Sequence, residues 1–92
     1  MKGKTRIVLA DDHPIVLTGL RNLIESESDF AVVGEATSGP EALKVIRDTR
    51  PDIAIIDIRL LIGTHNSDLK ILKTRFPATQ FILLYEIGRA HV

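Results

Sequence analysis

Two short apolar runs that do not alternate, each closed by aspartate, constrain this chain more than any other feature. The first is Arg6-Ile7-Val8-Leu9-Ala10, closed by Asp11-Asp12; the second is Ile53-Ala54-Ile55-Ile56, closed by Asp57. A strand with one wet face alternates apolar and polar residues, so β-branched runs without alternation belong in a parallel sheet covered on both faces. In an open α/β sheet, ligands sit beyond the carboxyl ends of the strands, where the strand order reverses. Three carboxylates gathered there repel one another and raise their own pKa values unless a cation neutralises them. A hard divalent ion with oxygen ligands, Mg²⁺ above all, meets that need. Such a pocket, with one carboxylate placed as nucleophile, suits the acceptance of a phosphoryl group.

The rest of the chain continues the strand–helix alternation. Helix one opens at Pro14, where proline suits a first turn, with Val16, Leu20, Leu23 and Ile24 as its apolar stripe. Phe30 to Ala36 forms strand two. Ser38-Gly39-Pro40-Glu41 reads as a capping box that starts helix two, whose inward face is Ala42, Leu43 and Ile46. Strand three runs from Ile53 to Ile58. A third helix lies within Ser67 to Phe76, with Leu69, Leu72 and Phe76 at helical spacing, and Gln80 to Leu84 forms strand four. This alternation implies right-handed crossovers and a parallel sheet.

Ile7-Val8-Leu9-Ala10-Asp11-Asp12-His13-Pro14, Val33-Gly34-Glu35-Ala36, Gly39, Glu41-Ala42-Leu43 and Pro51-Asp52-Ile53-Ala54-Ile55-Ile56-Asp57 resemble a response-regulator receiver domain. The Asp-Asp-His-Pro opening is similar to the NarL/FixJ-type subclass, whose receivers precede a helix-turn-helix DNA-binding domain. The resemblance covers Lys4 to about Leu84. It implies a flavodoxin-like (CheY-like) doubly wound parallel sheet, here of about four strands in the order 2-1-3-4 with three helices. It also implies Asp57 as phosphoacceptor, Asp12 as a direct Mg²⁺ ligand, Asp11 as a ligand through water, and the backbone carbonyl of Arg59 as a further ligand. The implied partner is a sensor histidine kinase. The implied parent is a transcriptional regulator that dimerises and binds DNA, while this segment binds no nucleic acid, meets no membrane and is not an enzyme.

The chain departs from the receiver pattern in two places. After Asp57, the usual proline position holds Leu61 and a later glycine position holds His65, which alters the loop beside the phosphoacceptor; Gly63 matches a glycine of some members. At the end, Tyr85 stands where receivers carry a threonine or serine, and no lysine follows Lys73, so the switch hydroxyl and lysine are missing. Glu86 to Val92 resembles the translation of a sequencing-library adapter. The expectation is therefore a truncated receiver over residues 1–85 and a non-native tail over 86–92, with no DNA-binding domain. Strand four becomes an apolar edge, and switching coupled to phosphorylation is lost.

Composition excludes several classes. Lysine plus arginine equals aspartate plus glutamate at twelve each, so nothing marks a polyanion binder. No cysteine is present, which removes thiol catalysis and disulfides and leaves the cytosol as the default compartment. Asp11 and Asp12 taken alone could simply cap helix one, and Asp52 reads as the start of a strand with no chemistry. His13 lacks a serine or cysteine nucleophile beside it and reads as a loop residue at the pocket rim. Thr64, Asn66 and Ser67 read as loop polar groups and a cap. Two other function classes remain open. An aspartate-nucleophile phosphatase would want two aspartates one residue apart on one strand end, unlike the adjacent Asp11 and Asp12. An interaction module that works without phosphorylation would tolerate the altered loop at Leu61 and His65.

Overall fold

The computed structural model describes residues 3–62 and 69–85. The elements are β1 (Thr5–Ala10), α1 (Pro14–Glu25), β2 (Phe30–Ala36), α2 (Gly39–Thr49), β3 (Ile53–Asp57), α3 (Leu69–Arg75) and β4 (Gln80–Leu84), with one 3-10 turn at Ile58–Leu60 between β3 and α3. All strand pairs are parallel and the order is β2-β1-β3-β4, the doubly wound arrangement expected from the sequence. The chain steps outward from β1 to β2, then back past β1 to β3, so the order reverses between β1 and β3. Among the described residues, no helix is long and apolar enough to cross a membrane.

The period-two alternation of strand side chains divides the interior into two layers. Val8, Ala10, Ala54 and Ile56 face α2 and α3 and pack with Ala36, Ala42, Ile46, Leu61 and Leu72. Ile7 and Leu9 face the other way onto Leu17, with Leu20, Ile24, Phe30, Val32, Ile53 and Ile55 around them. Both sides of β1 and β3 are thus apolar, which is why neither run alternates.

The helix starts follow local chemistry. Ser38 caps α2 by accepting the Glu41 backbone N–H at 3.2 Å, while the Glu41 carboxylate accepts the Thr37 N–H at 2.7 Å. The return half of the expected capping box therefore reaches one residue further back than Ser38. Helix one begins at Pro14 as expected, but its buried stripe is displaced. Leu17 is its buried residue, flanked by half-buried Val16, Leu20 and Ile24, whereas Leu23 is 69 % exposed. Leu17, Leu20 and Ile24 fall on one face at helical spacing, and Leu23 turns away from it. Strand three ends at Asp57 rather than Ile58, because the Asp57 carboxylate accepts the Arg59 N–H and bends the chain into the 3-10 turn. Asp52 has a structural role, accepting the Arg6 N–H at 2.8 Å. Ile82 is exposed on β4, which is the outer strand of the sheet among the described residues. Gly63, Thr64, His65, Asn66 and Ser67 and the tail 86–92 lie outside the described residues.

Register slips by one residue between Ile7 and Val8, so Val33 is passed over and Gly34 lies opposite Val8. A Cβ on Gly34 would stand 2.5 Å from Val45 Cγ1 on α2. Valine has one preferred rotamer in a helix and cannot turn aside cheaply. Gly34→Ala is therefore expected to destabilise the fold by about 1–3 kcal/mol through overpacking, less a fraction of a kcal/mol regained from the stiffer unfolded chain. Adding Val45→Ala should recover most of that loss. Urea midpoints of the two single variants and the double variant measure the coupling, and strict additivity would contradict the close approach.

Candidate functional site

Strand register builds the site. Ala10 pairs with Ile56 across β1 and β3, so the residues that follow, Asp11 and Asp57, leave the sheet side by side where the strand order reverses. Both are almost fully buried, Asp11 at 3 % exposure and Asp57 at 1 %, while Asp12 is exposed and His13 half-buried. One ligand atom from each of Asp11, Asp12, His13 and Asp57 lies within 4.8 Å of all the others. The three carboxylates expected to converge do converge.

The turn after β1 explains the aim of Asp11. Its Oδ1 accepts the His13 backbone N–H at 2.8 Å and lies 3.0 Å from His13 Nδ1. A carboxylate accepting the N–H two residues on is a turn-forming device. It bends the chain from β1 into α1 and keeps the Asp11 carboxylate over the sheet. The N-terminal cap of α1 is His13, which makes no side-chain cap bond, so neither aspartate acts as the helix cap.

Arg59 holds Asp57 from the opposite side. Its Oδ1 accepts the Arg59 backbone N–H at 2.9 Å, and the Arg59 guanidinium folds back over the carboxylate. Arg59 Nε stands 3.3 and 3.2 Å from the two Asp57 oxygens, and Nη2 donates to Asp57 Oδ2 at 2.8 Å. The same Nη2 reaches Asp12 Oδ1 at 2.9 Å and stands 3.1 Å from His13 Nδ1. Burial pushes the Asp57 carboxyl up, but the Arg59 side-chain and backbone hydrogen bonds and its charge outweigh that and hold it below the ordinary value. A carboxylate depressed in the folded state contributes stability that is complete above its unfolded pKa and fades as pH falls through the folded one. Urea midpoints of the native chain should accordingly fall more steeply below about pH 4 than those of Asp57→Asn. Parallel curves would contradict the pairing.

Of the other residues singled out by sequence, Leu61 is fully buried in the layer under α2 and α3, so the side chain at the altered loop position serves the core. Tyr85 is exposed and follows Leu84, which pairs with Asp57. Sequence reasoning assigned Arg59 through its backbone alone and placed His13 at the rim. The guanidinium contact was missed, although an arginine two residues beyond the aspartate it faces was its visible signal.

The family model of the response regulator receiver domain matches residues 7–84. An uncharacterized transcriptional regulatory protein of Bacillus subtilis, YhcZ, is 40% identical over 79 residues, covering 86% of this chain and 37% of the relative. The DNA-binding transcriptional activator DevR/DosR of Mycobacterium tuberculosis is 35% identical over 79 residues, covering 86% of this chain and 36% of its own length. The chain therefore spans a little over a third of these curated relatives. The signal receiver domain of the putative response regulator NarL from Mycobacterium tuberculosis superposes with a TM-score of 0.78 at 28% identity, covering 91% of this chain and 68% of that one. Motif, topology and these likenesses agree: the chain belongs to the response regulator receiver domain family.

Proposed function

We propose that this chain accepts a phosphoryl group on Asp57 from the phosphohistidine of a sensor kinase, in the presence of Mg²⁺. The observation that carries the reading is the meeting of Asp11, Asp12 and Asp57 at the switch point between β1 and β3. Receiver domains bind Mg²⁺ at an acidic pocket and interact with sensor histidine kinases, and the family match supports both here. Three carboxylates, two of them buried, form a hard oxygen donor set that fits Mg²⁺. Asp12 and Asp57 would hold the ion directly, Asp11 through water, and the Arg59 carbonyl would complete the protein's share. When bound, Mg²⁺ neutralises the carboxylates and the charge of the incoming phosphoryl oxygens.

The chain's own part is positional. The Arg59 N–H fixes the Asp57 carboxylate at the strand end through Oδ1, and Oδ2, which carries the Arg59 guanidinium in this structure, would attack phosphorus in line once that guanidinium has moved aside. A bond forms from that oxygen to phosphorus as the phosphorus–nitrogen bond to the donor imidazole breaks, and the released ring nitrogen takes up a proton. Asp11 stays fixed by the His13 turn and presents negative charge to the cation. The parent protein, on this reading, is a DNA-binding transcriptional regulator that uses the phosphorylated receiver as its input.

The test is intact mass after incubation with acetyl phosphate, with and without Mg²⁺. A single phosphoryl adduct that forms with Mg²⁺ and disappears with a chelator is the expected result. A folded chain that takes up no adduct under these conditions would overturn the reading. That outcome favours a module whose Asp57 serves only its ion pair with Arg59, and partner binding would then be indifferent to Asp57→Asn.

A further inference from the structure

The Arg59 guanidinium lies on the two carboxylates that a divalent ion would take. Nη2 alone bridges Asp57 Oδ2 at 2.8 Å and Asp12 Oδ1 at 2.9 Å, and Nε stands on Asp57 as well. Mg²⁺ holds its ligands at about 2.0–2.1 Å in a near-octahedral shell. The guanidinium nitrogen stands between Asp57 Oδ2 and Asp12 Oδ1, where an ion bridging those two oxygens would sit.

We infer that the Arg59 side chain is the resident counter-cation of the acidic site, and that a divalent ion binds only by displacing it. The inference rests on the reading of Asp11, Asp12 and Asp57 as a Mg²⁺ site and adds a competitor to it. The backbone allows the exchange. The Arg59 N–H bond to Asp57 Oδ1 belongs to the 3-10 turn and does not depend on where the side chain points. The side chain is about one-third exposed and has water to swing into. Arginine suits the resting role, because its flat fork grips two carboxylates while its fixed charge offsets their repulsion. The site is thereby kept neutralised and ordered without metal, at the expense of metal affinity. Removing the guanidinium should tighten Mg²⁺ binding by roughly tenfold, the equivalent of one charge-assisted hydrogen bond.

The experiment is calorimetric titration of the whole chain with magnesium chloride, comparing the native protein, Arg59→Met and Asp57→Asn, each verified as folded by circular dichroism. Methionine keeps most of the stem and removes the fork. Tighter binding in Arg59→Met supports the inference, and equal or weaker binding overturns it. Losing a positive charge nearby would raise affinity even without displacement, so a second readout follows the Arg59 Nε–H resonance by NMR. Displacement predicts that this resonance moves and begins to exchange with water as Mg²⁺ is added to the native chain. A resonance that stays fixed while Mg²⁺ binds overturns the inference and leaves the metal site standing. If native and Arg59→Met chains, both folded, bind no Mg²⁺, the metal reading falls and the inference falls with it.

Discussion

Asp57→Asn is expected to abolish the phosphoryl adduct altogether while leaving the chain folded. An amide has the shape of the carboxylate but is too poor a nucleophile to attack phosphorus. Its oxygen can still accept the Arg59 N–H, so the 3-10 turn after β3 should persist. Its NH₂ would face the Arg59 guanidinium, donor against donor, and Arg59 should retreat onto Asp12, which it already touches. Stability should fall by about 1–3 kcal/mol through the loss of charged hydrogen bonds at a buried group. Intact mass with circular dichroism on the same sample decides the matter. An adduct persisting on a folded Asp57→Asn chain would place the acceptor on Asp11 or Asp12 and sink the assignment.

Ile56→Ala is expected to cost about 2–5 kcal/mol, a large share of the roughly 5–15 kcal/mol that holds a small domain together. Ile56 is fully buried in the same layer as Ile46, Leu61 and Leu72, yet much of that layer consists of Ala10, Ala36, Ala42 and Ala54. Alanines have no side chain to swing into a void, so the cavity should stay largely open and the cost should fall in the upper part of that range. Urea unfolding should show a lower midpoint with an unchanged slope. Leu23→Ala, on the exposed side of α1, should change stability by less than about 0.5 kcal/mol. Equal effects from the two substitutions would contradict the layer assignment. Ile56 also immediately precedes Asp57, so Mg²⁺-dependent adduct formation should slow in the fraction of Ile56→Ala that remains folded.

The acidic site was legible because backbone alone builds it. Two non-alternating runs read as buried parallel strands, the receiver resemblance implies that they are neighbours, and parallel register then brings Asp11 beside Asp57 whatever their side chains do. β2 and β4 were legible to the residue because turn-forming or proline-containing segments bound them. The face of α1 was less so. Val16, Leu17, Leu20, Leu23 and Ile24 offer more apolar positions than one stripe can use, and only the angle at which α1 meets β1 and β2 selects Leu17 over Leu23. The Arg59 contact was hidden for a different reason. A long side chain can reach many places, and its destination depends on a tight turn that Asp57 itself creates. Periodicity carries no information about either.

The position of β1 in the middle of the sheet has a consequence for how the chain reaches this structure. Strand β1 is made before both of its partners and pairs through Thr5 with Phe30 and through Ile7 with Ile53, so it acquires its second neighbour only once Ile53 has been made. Until then one edge of its most apolar stretch stays unpaired. Loop-closure entropy must be met before such distant pairings repay it, which slows folding relative to helical domains of equal size. The β1–α1–β2 unit should therefore form first and wait, and nascent chains stalled before Ile53 are the species most exposed to aggregation.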